Sequence, residues 1–179
     1  MNIIDELDWR GAINQQTDEE GLKKLTEEKS IGLYAGIDPT GDSMHIGHLI
    51  PFMVLKRFQQ AGHKPVILIG GGTGSIGDPS GKKSERVLQS MEQVHHNEEA
   101  LKKQLVKFFG TDNFRIVNNY DWLSKMSLLD FLRDYGKLFN VNTMLAKDIV
   151  ASRLEVGISF TEFTYQILQS VDFLNLYKH

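Results

Sequence analysis

The chain has 179 residues, 41% of them hydrophobic and 24% charged, which is typical of one globular domain or slightly more. A net charge of −3 argues against a broadly basic surface for nucleic acid, and the lack of cysteine excludes disulfides and thiolate metal sites. The N-terminus has no basic segment followed by a long apolar run, and no apolar stretch reaches the roughly 18 residues of a membrane span, so a cytoplasmic protein with no membrane partner is expected.

The first half of the chain alternates between helical and strand patterns. Two short helices are predicted at the start, and the second has Thr17 and Glu20 in capping-box spacing. Residues 31–37 and 64–72 are apolar and predict buried strands, and residues 46–62 between them predict a helix that ends at its last glycine.

The second half continues this alternation. The further predicted elements are a polar helix over about 90–109, a strand over 114–119, and helices over 128–139, 141–154 and from 159 onward. Ser159 and Glu162 have capping-box spacing at the start of the last helix. Strands that alternate with helices predict an α/β fold, with a parallel sheet and helices on both faces.

The segment "GIDPTGDSMHIGHL" (36–49) joins a predicted strand to a helix N-terminus, the place where ligands bind in open α/β sheets. Its glycines, Gly36 and Gly47, would let a ligand approach the backbone. Thr40, His45 and His48 are donors suited to phosphate or ribose near the positive end of the helix. Two alternatives are a polar cap on a surface loop and a metal pair, although no third ligand lies close by in sequence.

A second loop, "GGGTGSIGDPSGKKSER" (70–86), follows the second strand. Its glycines match the dinucleotide-binding pattern G-x-G-x-x-G at Gly72, Gly74 and Gly77. In dinucleotide-binding folds that pattern follows the first strand. Here it follows the second predicted strand, and the loop after the first strand has more candidate ligand-binding residues. A P-loop does not fit, because Ile76 stands where that motif requires glycine and Lys83 stands where it requires serine or threonine. Asp78 is a candidate for binding an ammonium group, or it is a turn residue before proline.

The last predicted helix carries a polar stripe. Tyr165, Gln169 and Asp172 are spaced i, i+4, i+7 and therefore share one helical face. Large apolar residues flank them. The stripe is either the wall of a ligand pocket or a solvated outer face.

Five segments taken in order resemble one family, the bacterial tyrosyl-tRNA synthetases, which are class I aminoacyl-tRNA synthetases. They are "LYAGIDPTGDSMHIGHL", "GGGTGSIGDPSGKKSER", "NNYDWL", "FLRDYGKLFNVNTMLAKD" and "SRLEVGISFTEFTYQILQSVDFL". Within the first, "HIGH" at 45–48 is the nucleotide-binding signature of class I. The resemblance covers essentially all 179 residues and implies a truncated Rossmann-like nucleotide-binding domain of the class I synthetase type.

This resemblance implies that L-tyrosine is activated by ATP to tyrosyl-adenylate and transferred to tRNA(Tyr), with Mg²⁺ carried by ATP. It also implies a role for residues on the tyrosine side. Tyr34 and Asp172 would hold the phenolic hydroxyl, Asp78, Tyr165 and Gln169 the ammonium group, and Asn119 would support the network near Asp172, while Gly36 and Asp38 would line the pocket between tyrosine and ATP.

The residues on the ATP side follow from the same resemblance. Thr40 and His45 would contact the departing γ-phosphate, Gly47 and His48 the adenosine side, and Lys82 and Arg86 the phosphate-facing rim. Position 35 is Ala, where a ribose-contacting Cys is frequent in the family, so one weak contact is expected to be missing. Tryptophanyl relatives share the fold, but Tyr34 and Asp172 favour a phenol ligand.

The chain is interpreted as the N-terminal part of the catalytic domain, with 120–160 as a helical connective and dimer-interface region. The lysine loop and the anticodon-binding domains of the family are expected to lie outside these residues, so catalysis by the 179 residues alone is expected to be impaired. The family also implies a homodimer. Two alternatives remain: a non-catalytic tyrosine-binding chain, and an NAD-dependent oxidoreductase indicated by the glycine pattern alone.

Overall fold

The computed structural model describes residues 1–78 and 88–179, which form two compact units. The first unit comprises Met1–Ile37, Asp42–Ile69 and Glu99–Val117, and the second comprises Asp38–Gly41, Gly70–Glu98 and Asn118–His179. Within the described residues, no helix combines the length and the apolar character needed to span a bilayer.

Apart from one additional helical turn at Gly71–Gly74, the chain up to the third strand follows the predicted order of elements. These are α1 (Ile3–Trp9), α2 (Glu19–Glu28), β1 (Gly32–Ile37), α3 (Ile46–Gln60), β2 (Lys64–Ile69), α4 (Gly71–Gly74), α5 (Met91–Phe109) and β3 (Arg115–Asn118). One cap differs from the prediction: α2 is capped by Asp18 rather than Thr17, because the Asp18 carboxylate accepts the backbone N–H of Gly21 at 2.9 Å.

The sheet has the strand order β1-β2-β3, and β1 and β2 pair in parallel with Tyr34 opposite Val66. Ile67 and Ile69 pack with side chains of α3 and α5 in the main core, and Val66 and Leu68, which point to the other face, are also buried. Both faces of β2 are therefore covered. The prediction of a buried first strand was only partly right, because Ile37 alone is buried in β1.

The second strand is shorter than predicted. Its ladder ends at Ile69, and the glycines that follow form the helical turn α4 instead of extending the strand to residue 72. Glycine contributes no side chain to a sheet and gains little from strand pairing. This early end places Thr73 in a helical turn directly after a buried strand.

The second unit is helical, but its middle segment is more broken than predicted. It contains α6 (Tyr120–Leu123), α7 (Leu128–Asp130), a π-helical turn (Phe131–Tyr135), a 3₁₀ turn (Gly136–Leu138), α8 (Val141–Leu145), α9 (Asp148–Ala151) and α10 (Phe160–Lys178). The two helices predicted over 128–139 and 141–154 are thus series of short turns. Asn140 lies between the two predicted helices, and its side chain accepts the N–H groups of Asn142 and Thr143, which starts α8 at the predicted position.

The start of α10 was predicted correctly. The Ser159 hydroxyl accepts the backbone N–H of Glu162 at 3.2 Å and caps the helix. The Glu162 carboxylate forms a buried ion pair with Arg153 at 2.9 Å, which ties the turn before α10 to its first residues. The cap and the ion pair therefore both act at the N-terminal end of the helix that carries Tyr165 and Asp172.

His63 predicts a pH dependence of stability. It is 3% exposed, and its Nδ1 accepts the backbone N–H of Ile31 at 3.3 Å. Burial lowers the pKa of His63 below its ordinary value near 6.5, so the folded chain binds fewer protons than the unfolded chain just below that pH. The contribution of neutral His63 to the free energy of unfolding is complete above about pH 6.5 and is lost as the pH falls.

Denaturant unfolding between about pH 5 and pH 7.5 measures this effect. The variant His63→Asn, which keeps an acceptor for Ile31, should show a flatter pH profile of the unfolding free energy. The variant His96→Asn, which replaces an exposed imidazole in the same way, is measured beside it as the matched control. A His63→Asn profile parallel to that of the unaltered chain would contradict the assignment.

Candidate functional site

A hydrogen-bonded cluster in the second unit joins residues from three parts of the chain. Asp38 accepts the Tyr165 hydroxyl proton at its Oδ2, 2.9 Å away, and the Thr73 hydroxyl proton at its Oδ1, 2.7 Å away. Asp38 directly follows β1, Thr73 lies in α4, and Tyr165 lies on α10. The contact between Asp38 and Tyr165 spans 127 sequence positions and brings together two residues that the sequence predicted separately.

Asp172 is the most enclosed acid of this cluster, with 3% of its surface exposed. Asn119 Nδ2 donates to its Oδ2 at 2.9 Å, and the indole Nε1 of Trp122 donates to its Oδ1 at 2.8 Å. Burial raises the pKa of Asp172, and the two donors oppose that rise. A carboxylate held this way keeps lone pairs for a further donor, because each oxygen can accept more than one hydrogen bond.

The Tyr165 hydroxyl faces negative charge. Burial raises the pKa of Tyr165 far above its usual range, and the charges of Asp38 and Asp78 raise it further. Tyr165 therefore stays protonated and acts as a donor. The acidic surroundings suit a cation, which matches the chemistry of an ammonium group.

Of the three residues predicted on one face of the last helix, two reach this cluster. Tyr165 contacts Asp38, and Asp172 contacts Asn119 and Trp122. Gln169 lies between them on α10 and is exposed. Asp78, whose charge acts on Tyr165, is half-buried at the end of the described part of its loop.

The glycines of the second loop serve close packing. A Cβ atom at Gly72 would lie 2.9 Å from Leu123 Cδ1 and 3.2 Å from Asn119 Oδ1, and a Cβ at Gly74 would lie 2.7 Å from Pro39 Cδ. Gly77 has a φ of +94°, in the region that favours glycine. The G-x-G-x-x-G spacing is thus explained by contacts inside the protein, and the dinucleotide interpretation loses its only support.

The histidines of the "HIGH" segment lie in the first unit at the start of α3. Their rings stack with centroids 3.6 Å apart. His45 Nδ1 accepts the backbone N–H of Gly47 at 3.1 Å, and His48 Nδ1 accepts the backbone N–H of His45 at 3.3 Å. In both rings the neutral proton is therefore on Nε2, which is left as a donor. Burial, and then the charge of His45, lower the pKa of His48.

The other predicted site residues divide between the two units. Tyr34 and Gly36 lie in β1 and Gly47 in α3, all in the first unit, whereas Thr40 is exposed and belongs to the second. Lys82 and Arg86 lie outside the described residues. Within residues 1–78 and 88–179, no group of three His, Asp or Glu side chains forms a candidate metal site.

Sequence reasoning missed two members of the cluster, Thr73 and Trp122. Both stand inside segments that were singled out, "GGGTGSIGDPSGKKSER" and "NNYDWL", but neither has a periodicity or spacing that marks it. Their importance comes from partners distant in sequence. Trp122 reaches Asp172 across 50 positions, and Thr73 reaches Asp38 across 35.

Comparison with known proteins places this geometry in a family. Over its whole length the chain is 94% identical to a tyrosine–tRNA ligase of Pediococcus pentosaceus and 78% identical to one of Limosilactobacillus reuteri, and it spans 43% of the length of each. A crystal structure of a C-terminally truncated Aspergillus nidulans mitochondrial tyrosyl-tRNA synthetase matches with a TM-score of 0.88 and 34% identity, over 99% of this chain and 54% of that one.

The structural match confirms the predicted α/β class, a parallel sheet flanked by helices in the Rossmann-like manner of class I synthetases. The family model described as "tRNA synthetases class I (W and Y)" matches residues 26–179, which include both the "HIGH" segment and the cluster around Asp172. The chain therefore belongs to the class I tRNA synthetases (W and Y).

Proposed function

We propose that the chain binds L-tyrosine and forms the tyrosine-activating part of a tyrosine–tRNA ligase. The observation that carries this proposal is the buried Asp172 carboxylate, held by Asn119 and Trp122. Such a fixed acceptor suits the phenolic hydroxyl, and it disfavours phenylalanine because a buried polar group would be left unpaired. The names of the relatives with 94% and 78% identity support tyrosine as the amino acid.

The other residues of the proposed pocket bind the remaining groups of tyrosine. Tyr34 would donate to or accept from the hydroxyl together with Asp172. Asp78, Tyr165 and Gln169 would hold the ammonium group, which suits the negative charge that already acts on Tyr165. Gly36 and Asp38 would lie between tyrosine and ATP, and Asn119 would keep Asp172 in place.

Activation requires little proton chemistry from the protein. A carboxylate oxygen of tyrosine attacks the α-phosphate of ATP, a new O–P bond forms, and pyrophosphate leaves with the electron pair of the broken bond. Catalysis then consists of positioning and of stabilising negative charge. The Nε2–H groups of His45 and His48, with Thr40 and the backbone at Gly47, would donate to the nucleotide, and Lys82 and Arg86 would line the rim.

ATP is a substrate in this proposal, and Mg²⁺ would arrive with its phosphates. The chain spans 43% of the relatives' length. We therefore propose transfer to tRNA(Tyr) for a polypeptide that has the full length of those relatives. Residues 1–179 would form the N-terminal part of the catalytic domain, with 120–160 as the connective region. A role in protein synthesis implies a cytoplasmic protein.

Calorimetric titration with L-tyrosine, L-phenylalanine and NAD tests the proposal. We expect L-tyrosine to bind at least about tenfold more tightly than L-phenylalanine, because only tyrosine pairs with Asp172. NAD should not bind. Equal affinity for the two amino acids would contradict the proposed pocket, and tyrosine binding without adenylate formation would favour the second candidate, a non-catalytic tyrosine-binding chain.

We also propose that the chain forms a homodimer through the segment 120–160. Large apolar side chains there remain exposed, including Leu128 (71%), Leu129 (76%), Leu138 (71%) and Phe160 (72%). Met144 and Val150 of the same segment are instead buried within the chain, at 4% exposure each, and are not available to a partner. A self-complementary two-fold interface would cover the exposed set.

Sedimentation at micromolar concentration measures the association. Unaltered chain should sediment as a dimer, and the double variant Leu129→Lys/Phe160→Lys should sediment as a monomer with an unchanged circular dichroism spectrum. The control Val106→Lys alters a side chain in the first unit that is 43% exposed, and it should leave the dimer intact. A clean monomer for the unaltered chain would exclude the dimer at that concentration.

A further inference from the structure

Thr73 lies on a continuous path of hydrogen bonds between the carboxylates of Asp38 and Asp172. Its Oγ1 donates to Asp38 Oδ1 at 2.7 Å and accepts from Asn119 Nδ2 at 3.0 Å. The same Asn119 amide group donates to Asp172 Oδ2 at 2.9 Å. Two side chains are thus enough to connect the two acids.

The surroundings of Asn119 fix the directions of its hydrogen bonds. Asn119 Oδ1 accepts the backbone N–H of Gly72 at 2.8 Å, so the amide nitrogen must face the other way. Its two protons then serve Thr73 and Asp172. Since Thr73 accepts from Asn119, its single hydroxyl proton is left to donate to Asp38, and the Tyr165 hydroxyl also lies within hydrogen-bonding reach of Thr73. Asn119 is 0% and Thr73 2% exposed, so water cannot easily replace either partner.

The two acids at the ends of the path accept hydrogen bonds from different additional donors. At one end Asp38 also accepts from the Tyr165 hydroxyl, 2.9 Å away. At the other end Asp172 also accepts from the indole of Trp122, 2.8 Å away. A change of charge or partner at Asp38 would therefore act on the Thr73 hydroxyl, on the acceptor that it offers to Asn119, and through Asn119 on the hydrogen bond to Asp172.

We propose that Thr73 is a positioning residue that couples Asp38 to Asp172 through Asn119, so that the two ends of a bound amino acid are recognised together. The assignment of the ends to the polar head and the hydroxyl of tyrosine rests on the proposed function. The coupling itself is a property of the free chain. A ligand bound at Asp38 and Tyr165 would thereby restrict the orientation of Asp172, the acid proposed to recognise the hydroxyl.

The chain offers a direct reporter of this coupling. It has two tryptophans, and the indole N–H of Trp122 is bonded to Asp172 whereas Trp9 is 74% exposed. NMR spectra of the indole N–H groups are compared for the unaltered chain, Asp38→Asn, Thr73→Val, Thr73→Ser, and Asp38→Asn combined with each Thr73 variant. Trp9 serves as the internal control.

Asp38→Asn should shift the Trp122 signal in the unaltered and Thr73→Ser backgrounds, which keep the hydroxyl, and should shift it much less in Thr73→Val. The difference between backgrounds removes the direct effect of the lost Asp38 charge. An equal Trp122 shift with and without the hydroxyl would overturn the proposal. If Thr73→Val does not fold, Thr73→Ala removes the same hydroxyl with a smaller side chain and is scored in the same way.

Titration with L-tyrosine and L-phenylalanine separates this inference from the proposed function. Thr73→Val should lower tyrosine affinity about tenfold or more and reduce its preference over phenylalanine, because a buried donor and acceptor lose their partners, whereas Thr73→Ser should stay within about threefold. If the Trp122 signals show coupling but the unaltered chain does not bind tyrosine, the proposed function fails and the coupling stands. If tyrosine binds but Thr73→Val and Thr73→Ser behave alike, the coupling fails.

Discussion

Replacement of Asp172 by alanine is expected to lower the affinity for L-tyrosine by about a hundredfold, because a charged acceptor for the phenolic hydroxyl is removed from a buried site. Affinity for L-phenylalanine should change by less than about threefold, since that ligand has no hydroxyl to pair. The difference between the two losses, measured by calorimetry, is the quantity that assigns Asp172 to recognition of the hydroxyl.

Two further variants make this measurement specific. Asp172→Asn keeps the size of the side chain and separates the loss of charge from the loss of volume. Asp121→Ala removes an exposed aspartate on the neighbouring helix α6 and should leave both affinities unchanged. Equal losses of tyrosine and phenylalanine binding in Asp172→Ala would show that Asp172 only maintains the fold.

Breaking the ion pair between Arg153 and Glu162 is expected to cost about 3–5 kcal/mol of unfolding free energy. The two side chains are 4% and 1% exposed and lie 2.9 Å apart, so replacing one of them removes this ion pair while the other charge stays buried. We therefore expect Arg153→Met and Glu162→Gln each to lower the midpoint of urea unfolding strongly. Both side chains flank the start of α10, the helix that carries Tyr165 and Asp172.

The double variant Arg153→Met/Glu162→Leu tests the cause of this loss. It removes both charges and should be more stable than either single variant, because neither of the two charges remains buried. Lys24→Met breaks the exposed pair with Glu28 and is the matched control, with no measurable change expected. Single variants as stable as the unaltered chain would show that the pair adds nothing to the fold.

Much of the fold could be predicted from local patterns. The strand at Gly32–Ile37, the helices α3, α5 and α10, and the Ser159 cap all follow from short-range periodicity and capping chemistry, which act between neighbouring residues. The class of fold follows from their order. The errors lie where regular structure was predicted to continue, as in the strand that ends at Ile69 before its glycines and the helix predicted over 128–139, which becomes a π-helical turn and then a 3₁₀ turn from Gly136.

The candidate site could be predicted only in part. The sequence by itself determined which residue types stand after each strand and that Tyr165 and Asp172 share one face of α10, because both are consequences of spacing along the chain. The family resemblance added their expected roles. The roles of Lys82 and Arg86 also come from this resemblance, and they remain predictions.

Only the tertiary structure decided how those side chains are connected. Tyr165 meets Asp38 across 127 positions, and Trp122 meets Asp172 across 50, and no pattern within a helix or strand encodes such a partner. The same holds for the glycines of "GGGTG", which resemble a nucleotide loop in sequence but make room for Asn119, Leu123 and Pro39. The physical reason is that the direction of a buried hydrogen bond depends on every donor and acceptor around it, and these come from segments that only folding brings together.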